Sequence, residues 1–261
     1  MGKFTIIGER IHCISPAVRQ AMDARDPEPI LQRAKEQLAS GATYLDVNIG
    51  PAAKNGEELM RWVVKLLQEN CDNVPLSLDT ANKKAIEAGI AVYNRTKGKP
   101  IINSADDGDR KSNIDLAAAN DAIIIALCSK SGVPADNDER MAYCQDMLEH
   151  GMSLGMDEAD MWFDPLCLVI KGMQEKQVEM LDFIRQLKDM GLNSVCGISN
   201  VSNGMPREVR PIIDATEIAM AIYAGLKAAI LNPNNRRMME TIKSADVILN
   251  NVLYADSFLD V

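Results

Sequence analysis

Short apolar runs alternate along the chain with longer amphipathic stretches. The runs are Phe4–Gly8, Tyr44–Asn48, Pro75–Asp79, Pro100–Asn103, Ala122–Leu127, Met161–Asp164, Ser194–Ser199 and Lys227–Leu231. They are short and rich in β-branched residues, as buried parallel strands are. The stretches between them carry a helical period. Glu57–Glu69 sets Leu59, Trp62, Val63, Leu66 and Leu67 on one face. Gln177–Met190 does the same with Val178, Leu181, Ile184 and Leu187, and Gly191 stops it. Asn82–Val92 and Arg140–Leu154 also read as helices, and Asn235–Phe258 is the longest helical candidate. Eight strand–helix units predict an α/β fold, a (β/α)8 TIM barrel, as a single domain over residues 1–261. A doubly wound open sheet would place a glycine-rich turn after the first strand. Gly8-Glu9-Arg10 stands there instead, with no G-x-G-x-x-G, and the chain has no P-loop.

Composition narrows the partners. Hydrophobic residues make up 47% and charged residues 25%, ordinary values for a soluble globular protein. The net charge of −9 repels a phosphate backbone, and no Lys/Arg run overturns it, so no nucleic-acid partner is expected. None of the six cysteines falls in a C-x-x-C pair, which argues against zinc ribbons and iron–sulfur sites and for reduced thiols in the cytoplasm. The apolar run near the N-terminus is too short for a secretory signal core. No segment has the apolar length of a membrane helix, so no membrane partner is expected.

The ends of the strands carry the candidate chemistry. The first ends in Glu9-Arg10, the second in Leu45-Asp46-Val47-Asn48, the third at Asp79, the fourth at Asn103, the sixth at Asp164 and the seventh at Ser199-Asn200. Asn232 follows the eighth. In a barrel these ends converge on one mouth. Each residue alone has a plain explanation: Asp79 as a helix cap, Asp164-Pro165 as a turn. A ring of them is harder to explain so. With only His12 and His150 in the chain there is no H-E-x-x-H and no His-rich metal site, and no G-x-S-x-G elbow appears. An Asp/Asn pocket without metal or cationic clamps suits a neutral heterocycle with many hydrogen-bonding edges. A carboxylate accepts two N–H bonds from a guanidine-like ring edge, and an amide donates and accepts. A pterin presents that pattern.

Six strings stand in order: Gly8-Glu9-Arg10-Ile11, Leu45-Asp46-Val47-Asn48-Ile49-Gly50, Leu78-Asp79-Thr80, Ile101-Ile102-Asn103-Ser104, Phe163-Asp164-Pro165-Leu166 and Gly197-Ile198-Ser199-Asn200-Val201-Ser202. Together they resemble the methyltetrahydrofolate:corrinoid protein methyltransferases, including the folate module of cobalamin-dependent methionine synthase, over essentially the whole chain. The ending Tyr254-Ala255-Asp256-Ser257-Phe258 looks like that of stand-alone members.

The resemblance implies a pterin-binding (β/α)8 barrel related to dihydropteroate synthase. It would move a methyl group between N5 of tetrahydrofolate and the cobalt of a corrinoid carried by a separate protein. By the same resemblance Asp164 holds the 2-amino and N3–H edge, Asn103 and Asp79 bond the opposite side, and Asn200 stands beside N5 as the catalytic residue. Asp46, Asn48 and Ser199 support this shell. Arg210, which fits better than Arg207, contacts the pterin side. Tetrahydrofolate or 5-methyltetrahydrofolate is the implied substrate, a homodimer the implied assembly, and no metal is held by the chain. No Asp-x-His-x-x-Gly string is present, so the corrinoid is expected to arrive on another polypeptide, over loops such as Cys128–Asn137 and Asn203–Arg210. His12 replaces the Asn usual in relatives, and the loop Asn203-Gly204-Met205-Pro206 is this chain's own. The alternatives are a dihydropteroate synthase-like enzyme and a non-catalytic folate-binding barrel. The first would show a Ser-Arg-Lys type end on strand seven and an Asp-Pro-Gly loop on strand six, where this chain has Ser199-Asn200-Val201 and Asp164-Pro165-Leu166.

Overall fold

The computed structural model describes residues 4–51 and 54–256. The strands are β1 (Thr5–His12), β2 (Tyr44–Asn48), β3 (Leu76–Asp79), β4 (Ile101–Asp106), β5 (Ile123–Leu127), β6 (Met161–Asp164), β7 (Asn193–Gly197) and β8 (Ala228–Leu231). The helices are α1 (Pro16–Ala24), α2 (Glu28–Ala39), α3 (Gly56–Asn70), α4 (Lys83–Ile90), α5 (Ser112–Ala119), α6 (Asn137–Ser153), the short α7 (Ile170–Met173), α8 (Lys176–Asp189), α9 (Arg210–Ala224) and α10 (Arg236–Ile248). Each strand pairs in parallel with the next, and β8 pairs with β1, so the sheet closes on itself as a barrel. None of the helices among the described residues is long and apolar enough to cross a membrane.

The period of two along each strand divides the core into two shells. Inside the barrel lie Ile7, Ile101, Ile123, Ile125, Val195 and Ala228, with Tyr44, Leu127, Trp162 and Ile230 against them. Between barrel and helices lie Leu45, Val47, Leu76, Leu78, Ile102, Ile124, Phe163 and Cys196. The same alternation places the polar residues. On β2 the inward series is Tyr44, Asp46, Asn48; on β4 it is Ile101, Asn103; on β6 it is Trp162, Asp164. Each series is apolar or aromatic at the N-terminal end of the barrel and polar at the other. Trp162 thus lies on the face of Asp164, as the spacing predicts. Its ring meets Tyr44 edge-on with centroids 6.4 Å apart, and its indole N–H donates to Ala159 O at 3.0 Å.

Several boundaries differ from the sequence reading. β1 continues through Glu9 and Arg10 to His12, with a register shift against β2 between Gly8 and Ile11. β4 continues past Asn103 to Asp106, again with a register shift, between Asn103 and Ala105. β7 stops at Gly197, and Ile198–Asn200 is a 3-10 turn rather than strand. The C-terminal helix ends at Ile248, and residues 249–256 are not α-helical. Ser257 and Phe258 lie outside the described residues. Val178, assigned by periodicity to the buried face of its helix, is 63% exposed, and Gln177 takes the inner position.

Candidate functional site

The inward polar positions of β2, β3 and β4 form two hydrogen-bonded groups at the mouth. Ser77, two residues before Asp79 on β3, donates to Asp46 Oδ1 at 2.7 Å. The Asn103 amide donates to the same oxygen at 3.2 Å. The Asn48 amide donates to Asp79 Oδ2. Asn48 Oδ1 accepts the Gly50 N–H at 2.9 Å, which orients the amide so that its N–H2 faces Asp79. Asp46 is buried, and burial, followed by the nearby Asp79 charge, pushes its carboxyl well above the usual range. Asp79 is pushed up to about 6 by burial, against the Asn48 hydrogen bond and the Arg110 charge. Taking a carboxylate out of water favours the protonated acid, and a second carboxylate nearby adds to that.

Asp164 reaches the same mouth from β6. It is buried, and burial pushes its pKa up to about 7. Its Oδ1 accepts the Leu166 N–H at 2.8 Å. That bond depends on an unusual turn, since Leu166 has φ 69°, a left-handed conformation that Leu rarely adopts. Where the Asp-Pro-Gly pattern would have glycine, this chain keeps the left-handed backbone with a side chain in place.

The remaining part of the rim comes from β1, the 3-10 turn and α9. Ser199 Oγ donates to Glu9 Oε1 at 2.7 Å, and burial raises the Glu9 pKa while this bond opposes it. Asn200 is exposed at the rim. A Cβ on Gly197 would lie 3.1 Å from its Nδ2, so glycine there leaves the amide room. Arg210 is tied to its own loop, with Nε donating to Ser202 Oγ at 3.1 Å and Nη2 to Asn203 Oδ1 at 3.0 Å. Arg207 and Arg210 both line a cavity of about 300 Å³, together with Glu9, Ser199, Asp214 and Asn232. His12 pairs with Asn48 in the sheet register. Its pKa is lowered, first by burial and then by Arg33 and Arg10, so the ring is neutral at neutral pH.

The structure therefore brings Asp46, Asn48, Asp79 and Asn103 into direct contact in pairs. Asp164 reaches the mouth from β6, Ser199 joins Glu9, and Asn200 and Arg210 stand on the rim loop. Four contributors were not singled out from sequence. Ser77 was legible in principle, because it shares the inward face of its strand with Asp79. Arg110, which lowers Asp79 and donates to Ser104 Oγ at 3.1 Å and to Asp106 at 2.7 Å, follows β4 with no motif to mark it. Asp214 and Glu217 of α9 are buried acids, the latter pushed up to about 7 by burial. Nothing in their spacing separates them from solvated helix positions.

A hydrogen-bonding ring of this kind can hold a flat heterocycle by its edges. Asp79 and Asp164 are poised to change protonation near neutrality, and the Asn200 amide, whose Oδ1 accepts from Asn203 Nδ2 at 3.5 Å, is exposed at the rim.

The model of the pterin binding enzyme family matches residues 15–232, and the chain belongs to that family. It is 24% identical over 253 residues to a methylcorrinoid:tetrahydrofolate methyltransferase of Eubacterium limosum, covering 94% of this chain and 91% of that protein. It is 27% identical over 243 residues to the methionine synthase of Mycobacterium leprae, covering 87% of this chain but only 20% of that longer protein. Among solved structures, the 7,8-dihydropteroate synthase of Vibrio fischeri superposes with a TM-score of 0.74 at 12% identity, over 95% of this chain and 94% of that one. At that identity the likeness speaks to the fold.

Proposed function

We propose that this pterin-binding enzyme transfers a methyl group between N5 of tetrahydrofolate and the cobalt of a corrinoid carried by a separate protein. The observation that carries the reading is the arrangement at the mouth. A buried carboxyl on β6, Asp164, stands with the Asp46–Asn103 and Asn48–Asp79 pairs of β2–β4 and an unburied amide, Asn200, on the rim. The full-length similarity to a methylcorrinoid:tetrahydrofolate methyltransferase supports it and favours the direction from methyl-corrinoid to tetrahydrofolate.

In this reading Asp164 in its ionised form accepts the 2-amino and N3–H donors of the pterin, while Asn103 and Asp79 meet the opposite edge. When the methyl group moves from folate to cobalt, the C–N5 bond breaks and N5 must gain a proton. An amide does not titrate near neutrality. Asn200 therefore donates a hydrogen bond that strengthens as charge develops on N5, and the proton comes from solvent. In the opposite direction neutral N5 attacks the methyl carbon on cobalt and loses its proton afterwards. The same pocket serves both directions.

The test is anaerobic incubation of the enzyme with cob(I)alamin and methyltetrahydrofolate, following cobalt methylation by absorbance, and the reverse reaction with methylcobalamin and tetrahydrofolate. Folate binding without transfer to or from free or protein-bound corrinoid would favour a non-catalytic folate barrel. Condensation of 4-aminobenzoate with a pterin pyrophosphate would favour the dihydropteroate synthase reading. The Ser199-Asn200-Val201 turn, which has no lysine, speaks against that second reading.

A further inference from the structure

Arg140 of α6 is the largest fully buried side chain among the described residues. Taking a guanidinium out of water is costly, and the cost is offset only when the charge is paired and its N–H groups are bonded. Here the compensation is incomplete. Nη1 donates to Asn137 Oδ1 at 2.8 Å and to Glu179 Oε2 at 3.2 Å. The Glu179 side chain is 33% exposed, and its carboxylate is shared with Lys176 Nζ at 2.9 Å. Nη2 has no hydrogen-bond partner. An apolar side chain would fill the same volume without these costs, so packing alone does not account for an arginine here.

The third nitrogen does. Nε donates to Pro165 O at 3.1 Å. The peptide unit that carries this carbonyl also carries the Leu166 N–H, which donates to Asp164 Oδ1 at 2.8 Å. One rigid plane is thus held at both ends, its oxygen by Arg140 and its N–H by Asp164. Accepting a bond from a cation also polarises the plane and strengthens its N–H as a donor. Leu166 follows with φ 69°, a conformation that an L side chain keeps only when its surroundings hold it. Rotating the plane would relieve Leu166 and swing the N–H away from Asp164. The Arg140 bond opposes that rotation.

We propose that Arg140 is a positioning residue for the pterin site: through the Pro165–Leu166 peptide it fixes the Asp164 carboxylate in the orientation that receives the N–H edge of the ligand. The inference rests on the reading of Asp164 given above. The titratable groups that feel the Asp164 charge are the thiols of Cys128 after β5, Cys196 of β7 and Cys167 on its own loop. Burial raises all three, so they stay neutral near neutral pH. Asp214 and Glu217 of α9 share Cys167 as a neighbour, and α6 and α8 supply Arg140, Lys176 and Glu179. Within these surroundings the Leu166 N–H is the group that opposes burial in setting the Asp164 titration.

Two substitutions at Arg140 separate the bond from the charge. Glutamine places its Nε2 where arginine has Nε, while methionine has no donor there, and both are neutral. Carboxyl-carbon NMR of the ligand-free protein, isotope-labelled at aspartate alone, reads the midpoint of Asp164, with its signal identified by Asp164→Asn. That label leaves Glu217, which titrates in the same range, silent. Arg140→Met raises the midpoint by about one pH unit, the worth of one hydrogen bond to the charged form, and weakens folate binding at pH 7 about tenfold. Arg140→Gln recovers most of both. Leu166→Gly, which takes the left-handed turn without strain, recovers part of the loss when added to Arg140→Met. Should Arg140→Met fail to fold, Arg140→Lys keeps the buried cation for Glu179 but has a methylene at the Nε position, and it shifts the midpoint in the same direction. An unmoved midpoint, or equal midpoints in the methionine and glutamine variants, overturns the proposal. A raised midpoint with unchanged folate affinity supports the hold on Asp164 and overturns instead the reading of Asp164 as a ligand group.

Discussion

Asp46 and Asn103 sit on strands that are not neighbours, with β3 between them, yet the Asn103 amide donates to Asp46 Oδ1 at 3.2 Å. The Ser77 hydroxyl of the intervening strand bonds the same oxygen at 2.7 Å. The inward side chains of three strands thus close over the barrel interior. Both donors fall on one oxygen, while burial and the nearby Asp79 charge raise the Asp46 pKa.

This arrangement separates support from binding. Ser77→Ala removes one donor beneath the surface of the site. It lowers stability by ~1–2 kcal/mol, the usual cost of a buried hydrogen bond, and changes folate affinity by no more than about threefold. Asn103→Ala removes a group that meets both Asp46 and the proposed ligand. It costs a similar stability and at least about tenfold in affinity as well. Urea denaturation and equilibrium folate binding on the two variants distinguish these roles.

Asp164 sets a pH dependence. Its folded pKa of about 7 stands above the unfolded value near 3.9, so the free folded protein holds a proton that the unfolded chain has released. The acid therefore opposes folding increasingly as pH rises through that window. For the proposed ligand the sign is reversed, because only the carboxylate accepts two N–H donors. Folate affinity falls as pH drops below about 7, by up to about tenfold per unit, and binding at pH 6 releases a proton. Calorimetry in two buffers of different ionisation enthalpy measures that proton. Asp164→Asn loses about 100-fold in affinity at pH 8 through the loss of a charge-assisted pair of bonds, and its remaining affinity no longer follows this titration.

In the proposed reading Asn200 acts on rate rather than affinity. Asn200→Ala lowers the methyl-transfer rate about 10²–10³-fold, the range for one donor directed at developing charge, with the folate dissociation constant changed less than about threefold. A variant that loses affinity and rate in parallel would assign Asn200 to ground-state binding instead. Single-turnover rates at saturating folate separate the two.

Glu217 is buried, has an oxygen without a partner, and is pushed up to about 7 by burial. Its proton is held by the folded state and released by the unfolded chain near pH 5–7, so it destabilises the fold as pH rises. Glu217→Gln stabilises by ~1–3 kcal/mol at pH 8 and by far less at pH 4. Denaturant midpoints at the two pH values check both the size and the sign. Equal effects at both would point to packing rather than charge.

The barrel was legible in the spacing of its strands. Tyr44–Asn48 and Met161–Asp164 carry the boundaries read from the sequence, because a short apolar run next to a helical period leaves little choice of element. Boundaries failed where polar residues continue a strand, as in Glu9-Arg10 of β1 and Ser104–Asp106 of β4. Apolar content marks burial, but a strand needs only a paired backbone. Val178 failed for a related reason. Periodicity identifies an apolar position on a helix and is silent on what lies against it.

The sequence by itself determined which residues reach the mouth, since a side-chain period of two and a common strand direction carry Asp46, Asp79, Asn103 and Asp164 to the same end of the barrel. Only the tertiary structure decided how they meet. It joined Ser199 to Glu9 across 190 residues of chain, set Ser77 and Asn103 on one oxygen of Asp46, and buried Asp214 and Glu217. Local periodicity fixes the direction of a side chain along its own element. Contact distances and desolvation depend on which other elements close around it, and those arrive from distant parts of the chain.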